Sequence, residues 1–340
     1  MINKTICLAA MFAAGPCFAA STPLEQLENS AGASMTSVRA AIPAAVAEPA
    51  GAPGYADAVS EFNAYRESKL KGIKNEDNLP FLLVHGARAR RTVLMIHGLT
   101  DSPWYMRELG GILYKQGYNV VSVLLPGHGT KPEDLTVATK AEWQDEVDRG
   151  LRIASGLGEK VSLAGFSTGG ALSLDALRRH TELKVDKLFL FSPAIAINEG
   201  SQTSVTLGCQ SLWLTTKIKG DYNEPADTAE VSPYNYTKMA INGVCQLSDL
   251  ISDNNTWRAE IVESLRASGT GVFAVESEAD TTVSPVAVTD FMGSLPESSR
   301  SVYLWYPPAE GIAHAAVTRP ETNPRFPELR SKLREFAARE

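Results

Sequence analysis

Lys160-Val161-Ser162-Leu163-Ala164-Gly165-Phe166-Ser167-Thr168-Gly169-Gly170 passes from an apolar strand into a helix with a serine at the corner. Lys160 to Gly165 carries the strand pattern, and helical periodicity follows from about Gly169 to His180. A residue in so tight a turn has a strained backbone, so the positions two before and two after it need small side chains for the chains to pass. Gly165 and Gly169 meet that need around Ser167. The hydroxyl then stands at the amino end of a helix, where the macrodipole favours a developing anion. A phosphate-binding turn also uses glycine, but the Lys-Ser/Thr ending of a nucleotide loop is absent here. Ser167 is the candidate nucleophile.

Outward from this turn, short apolar runs alternate with amphipathic stretches. Strands are expected at Phe81 to His85, Thr92 to His97, Tyr118 to Leu125, Lys187 to Phe191, Gly271 to Glu276 and Ser301 to Tyr306, with a basic turn around Arg88 to Arg91. Helices are expected at about Tyr55 to Leu70, where Phe62, Tyr65 and Leu70 mark the packed side, and at Pro103 to Gln116, Lys140 to Gly156 and Phe326 to Ala338. Such alternation implies the α/β class: a mostly parallel sheet with helices on both faces. Between Ser192 and about Thr270 the alternation fails, and residues 193–268 read as a mostly helical cap over the sheet's edge. Its aromatics Trp213, Tyr222, Tyr234, Tyr236 and Trp257 either form the cap's own core or line an apolar pocket and meet lipid.

The chain ends add context. Met1 to Lys4, the apolar run Thr5 to Phe18 and the small residues Ala19-Ala20-Ser21 match a secretory signal, so residues 1–20 read as a signal peptide and the protein as exported, to the periplasm or beyond. The run is shorter than the ~20 residues of a membrane-spanning helix and contains Gly15 and Pro16. Cys17 lacks the preceding sequence of a lipid-modified export signal. Residues 21–54, rich in Ala, Pro, Ser and Gly, read as a poorly ordered leader, leaving 55–340 as the folded domain. With Cys7 and Cys17 in the signal, Cys209 and Cys245 remain: a candidate disulfide in an oxidising compartment, or two buried thiols. A net charge of −7 without any basic block excludes nucleic acid as a partner.

A serine is a weak nucleophile unless a base takes its proton, normally a histidine held by a carboxylate. Of five histidines, His97 and His128 lie in Gly-flanked turns, His85 ends an early strand and His180 ends the helix after the serine. Only His314 follows the last strand, in Gly311-Ile312-Ala313-His314-Ala315, which makes it the candidate base. Asp280 lies in the turn after the Gly271 strand and is the candidate acid; it also suits a helix N-cap. Glu276 and Glu278 compete with it, while Asp253 falls in the cap and Asp290 on a helix. Acyl transfer further needs donors aimed at an oxyanion. The backbone N–H of Thr168 supplies one, and Leu99 in His97-Gly98-Leu99-Thr100-Asp101-Ser102 the other.

Taken in order, His97-Gly98-Leu99-Thr100-Asp101-Ser102-Pro103, Leu125-Pro126-Gly127-His128-Gly129-Thr130, Gly165 to Gly170, Asp280-Thr281-Thr282-Val283-Ser284-Pro285 and Gly311 to His314 resemble the α/β-hydrolase superfamily, in its carboxylesterase and monoacylglycerol-lipase-like branch. The resemblance runs from about Tyr65 to the C-terminus. It implies an eight-stranded sheet with a helical cap after the sixth strand, no cofactor or metal, and ping-pong hydrolysis through an acyl-enzyme. Thr168 departs from the Met, Gln or Leu of many relatives. Dehalogenases and epoxide hydrolases of this fold use Asp at the corner, so Ser167 argues against both. Esters of short or medium acyl chains, including monoacylglycerols, are the expected substrates, with transient contact between the cap and a lipid surface. A cofactor-free haloperoxidase, an amide or peptide hydrolase and a catalytically silent binding module are the alternatives.

Overall fold

Apolar side chains that alternate across a pleat build a sheet with two greasy faces, and this chain covers both. The computed structural model describes residues 54–199, 205, 209, 221–223, 233–296 and 300–340. The expected signal peptide, nearly all of the leader, and Trp213 with much of the cap lie outside them. The main sheet holds β1 (Leu82–Leu83), β2 (Ala89–Ile96), β3 (Tyr118–Ser122), β4 (Gly158–Phe166), β5 (Val185–Phe191), β8 (Gly271–Ser277) and β9 (Val302–Tyr306), in the order β1-β3-β2-β4-β5-β8-β9. All neighbours run parallel except β1, which pairs antiparallel with β3 through Leu82↔Val121 and Leu83↔Val120. Two further strands, β6 (Asp221–Asn223) and β7 (Lys238–Ala240), form a separate antiparallel pair.

The two cores show the alternation directly. Leu94 and Ile96 of β2, Leu188 and Leu190 of β5, and Val272 and Ala274 of β8 face one cluster. Val93 and Met95, Phe189 and Phe191, and Phe273 and Val275 face the other. The first cluster is closed by α1 (Tyr55–Ser68), α3 (Lys140–Leu157), α4 (Thr168–Arg179), α5 (Ile241–Thr256), α6 (Arg258–Ser268) and α7 (Pro285–Ser294). The second is closed by α2 (Arg107–Tyr114) and α8 (Phe326–Ala338). α3 starts at a full capping box, with Thr139 Oγ1 accepting from the Glu142 N–H and Glu142 returning to the Thr139 N–H.

Several expectations are corrected. The main sheet has seven strands among the described residues where eight are expected, and the segment expected as cap follows β5. Among the described residues, the chain ahead of β1 holds α1 and a short 3₁₀ turn and no strand. Arg88 to Arg91 is not a turn throughout, because β2 begins at Ala89; Arg91 is buried there and its Nε donates to Asp186 at 2.8 Å. Ala58, Phe62 and Tyr65 form the packed side of α1, whereas Leu70, expected on it, lies beyond the helix and is 44% exposed.

The last part of the expected cap, α5 and α6, is core. Leu247, Leu250 and Ile251 of α5 and Ile261 and Leu265 of α6 join the cluster beneath α4. Cys209 and Cys245 are bonded, with their Cα atoms 5.4 Å apart, so the bond pins the cap segment to α5. The cross-link spans 36 residues. In the chain-entropy account it contributes about 3–4 kcal/mol by restricting the unfolded chain. Urea unfolding with and without dithiothreitol is expected to show a loss of that size in wild type and none in a Cys209→Ser/Cys245→Ser double variant.

Candidate active site

β4 ends at Phe166 and α4 begins at Thr168, so Ser167 alone turns the chain, with φ 52° and ψ −114°. A side chain at positive φ costs free energy, and the surroundings hold it there. The Ser167 N–H donates to the Phe191 carbonyl at 3.0 Å, and its own carbonyl accepts from Gly170, Ala171 and Ala194. The glycines follow from contact. A Cβ on Gly165 would lie 2.1 Å from the Gly169 carbonyl oxygen, and one on Gly169 would lie 2.0 Å from that of Ile96. A Cβ on Gly170 would meet Pro193 at 2.6 Å.

Three carboxyl-terminal strand ends deliver the expected relay to one point. His314 Nε2 is 2.9 Å from Ser167 Oγ, and His314 Nδ1 is 2.5 Å from Asp280 Oδ2. The other carboxylate oxygen, Oδ1, accepts the N–H groups of Thr282 at 2.7 Å and Val283 at 3.0 Å. Asp280 thus also holds the turn leading into α7, although the side chain that caps the helix itself is Ser284. Burial alone would raise the Asp280 carboxyl, but the His314 imidazole and the two N–H donors outweigh it and hold it below the usual carboxylate range.

The competing carboxyl groups are elsewhere. Glu278 and Asp290 are exposed, and Asp253 pairs with Lys140 at 2.7 Å. Glu276 is buried behind Asp280, and burial followed by the nearby Asp280 charge pushes it well above the carboxylate range. Among the other histidines, His85 stacks on Tyr114 with ring centroids 4.1 Å apart, and His180 Nε2 is 2.9 Å from Asp148.

His97 and His128 hold the proposed oxyanion loop, a role that sequence reasoning missed. His97 Nε2 accepts from the Leu125 N–H at 3.1 Å, so its Nδ1–H donates to the Gly98 carbonyl at 2.8 Å. In a planar trans peptide the Leu99 N–H points opposite that carbonyl, so this bond fixes its direction. His128 lies with Nε2 against the next carbonyl, that of Leu99, and Nδ1 3.1 Å from the Pro126 carbonyl; the single hydrogen of the neutral ring goes to the nearer Leu99 oxygen. The elbow packs on the same corner: besides the Gly169 approach to Ile96, a Cβ on Gly98 would lie 3.0 Å from the Phe166 ring. Thr168 N–H leads α4, where the first amides of a helix have no partner within it. The sequence signal was present, since each histidine adjoins a glycine at the end of a strand, but a turn histidine is ordinarily solvated. These two are buried, at 0% and 2% exposure.

Of the described cap aromatics, Tyr234 and Tyr236 serve packing. Tyr234 stacks on Trp104 with centroids 4.0 Å apart, and buried Tyr236 donates its hydroxyl to the Gly127 carbonyl at 2.8 Å. Trp257 stands exposed between α5 and α6. The side chains of Trp213 and Tyr222 lie outside the described residues. Among the described residues no group of three or more His, Cys, Asp or Glu side chains is placed to hold a metal.

A family model described as serine aminopeptidase S33, a hydrolase family, matches residues 87–304, well over half of the chain. The chain belongs to this family. Within it, the chain is 34% identical over 91 residues to a thermostable monoacylglycerol lipase of Bacillus sp. (strain H-257), a stretch covering 27% of this chain and 36% of that one. It is 33% identical over 96 residues to a carboxylesterase of Bacillus subtilis (strain 168), covering 28% and 38%. The matched stretch therefore spans little more than a third of either relative. A soluble variant of monoglyceride lipase from Saccharomyces cerevisiae shares the fold, with a TM-score of 0.60, 16% identity and coverage of 77% of this chain and 92% of that one. The S33 fold of this chain is thus the α/β-hydrolase fold.

Burial lowers both clamp histidines: His128 to about 4, and His97 well below the imidazole range with the neighbouring His128 adding to the effect. The fold favours their neutral forms, so their contribution is complete above the unfolded value of about 6.5 and is lost as pH falls from there towards 4. Wild type is expected to lose about 1.4 kcal/mol per pH unit more than a His128→Asn variant across that window, measured by urea unfolding at a series of pH values.

Proposed function

We propose that the chain is a serine hydrolase of carboxylic esters, with Ser167 as nucleophile, His314 as general base and acid, and Asp280 as the orienting carboxylate. The observation that carries this reading is the continuous relay from Ser167 Oγ through His314, at 2.9 Å and 2.5 Å, to Asp280. As Ser167 Oγ bonds to the ester carbonyl carbon, its proton moves to His314 Nε2 and the carbonyl electrons to the oxygen. That oxyanion is met by the N–H groups of Leu99 and Thr168. Collapse breaks the bond to the alcohol oxygen, which leaves with the proton from His314. Water, deprotonated by the same nitrogen, then attacks the acyl-enzyme and releases the acid and free Ser167.

Several features support the choice of substrate and setting. The bacillary relatives are named as a monoacylglycerol lipase and a carboxylesterase, which supports carboxylic esters as the substrate class, monoacylglycerols among them. The apolar run Thr5 to Phe18 before Ala19-Ala20 supports export with removal of residues 1–20, and the exposed indole of Trp257 supports transient contact with a lipid surface. Among the described residues no helix is long and apolar enough to cross a membrane.

Hydrolysis of a p-nitrophenyl ester series, with aminoacyl p-nitroanilides alongside, tests the reading. Wild type is expected to peak at one short or medium acyl length, and Ser167→Ala to lose at least about 1000-fold in kcat. Turnover of the anilides alone would transfer the reading to amides, and activity surviving in Ser167→Ala would remove the nucleophile assignment.

A further inference from the structure

Behind the relay stands a carboxyl group that the mechanism does not use. Glu276, at the carboxyl end of β8, is fully buried, four residues before Asp280 and facing it. Its Oε1 accepts the Ser277 N–H at 2.8 Å and the Ser192 hydroxyl at 3.2 Å. Its Oε2 is also buried and has no partner as an acceptor. Ser192 is held for this contact at the end of β5, at the strained φ of 37°, with its N–H on the Val275 carbonyl. The donor set decides where the charge of the pair resides. Asp280 receives three hydrogen bonds, one from the His314 ring and two from backbone amides, against two for Glu276. Two facing carboxylates in a dry site do not both ionise. An ionised Glu276 would leave Oε2 facing like charge with nothing to accept, whereas a protonated one has a hydrogen to give.

We propose that Glu276 is a neutral carboxylic acid whose Oε2–H donates to the Asp280 carboxylate, making it a positioning residue that holds the acid of the relay and keeps a single negative charge behind His314. The direction of its titration, raised by burial and then by Asp280, agrees. The other titratable groups near it are Tyr303 on β9, whose phenol is pushed up to about 12, chiefly by burial, and the exposed Glu278. Neither supplies a cation that would favour ionised Glu276. The added donor draws density from Asp280, so the carboxylate orients His314 without making the imidazole too strong a base to return its proton to the leaving group.

This inference rests on the relay assigned above, and its test does not require the natural substrate. Infrared spectra at pH 8, where ordinary carboxyl groups are ionised, are expected to show a buried carboxylic acid band in wild type that Glu276→Gln lacks. Phosphonylation of Ser167 by an alkyl fluorophosphonate, followed against pH, reports the state of His314 in the same proteins. Glu276→Leu, which removes the donor, is expected to react about ten-fold more slowly, with its acid limb moved to higher pH. Glu276→Gln, which keeps a neutral donor, is expected to recover most of the rate and the wild-type acid limb. Absence of the infrared band overturns the proposal. So does an acid limb in Glu276→Gln displaced about one unit to lower pH, the mark of an anion removed from beside an imidazolium. Equal rates and profiles in all three proteins, differing only in melting temperature, overturn it as well. Failure on every ester with the band and the phosphonylation profile intact would count against the ester reading alone. If Glu276→Leu does not fold, the isosteric Gln variant and the infrared band still decide.

Discussion

The approach of one backbone to another at the Ser167 corner is the constraint on which the rest of this structure depends. The chain reverses within one residue, and the reversal is possible only because α4 starts almost in contact with the end of β2, with no Cβ at Gly165 or Gly169 to hold them apart. That closeness brings the Leu99 loop beside the first amides of α4 and turns the hydroxyl outward. The cost of positive φ at Ser167 is offset by backbone hydrogen bonds on both its N–H and its carbonyl, so the nucleophile is placed by main chain and not by side-chain packing.

Electrostatically, the site spends little charge. Burial favours the neutral forms of His97 and His128 beside the Leu99 loop, and the Asp280 carboxylate accepts N–H donors, so fixed dipoles dominate the field at this corner. The cap is tied into the same framework at both of its ends. Where the chain enters it, Ile197 bridges Val283 and the Asn198 N–H reaches the Thr282 carbonyl, in the turn that carries Asp280. Where it leaves, the Tyr236 N–H reaches the Thr100 carbonyl in the oxyanion loop.

Most of this was legible in the sequence, for reasons that differ by residue. Ser167, Asp280 and His314 could be read because each follows an apolar strand in the chain order of the α/β-hydrolase fold, and the structure joins them. Strand positions were legible to within a few residues because fully buried parallel strands are continuous apolar runs. Arg91 defeated that rule, since a guanidinium inside a strand is recognisable only once Asp186 on the neighbouring β5 supplies its partner. α5 and α6 fall in the stretch where the alternation of strand and helix fails, which reads as cap, and only contact with α4 reveals their buried stripe. The roles of His97 and His128 and the burial of Glu276 depend on contacts between segments distant in the chain, which periodicity does not encode. The disulfide stood between two readings until the fold brought Cys209 to α5.

Ser167, Asp280 and His314 follow β4, β8 and β9, and β9 is the last strand among the described residues and an edge of the sheet. A chain emerging from the ribosome therefore presents Ser167 well before His314, 147 residues later. On the mechanism proposed above, Ser167 has no proton acceptor until β9 is laid against β8. Competence for turnover is in this way reserved for chains that have completed their carboxyl-terminal edge, and truncated or half-folded copies carry a corner serine without a reaction.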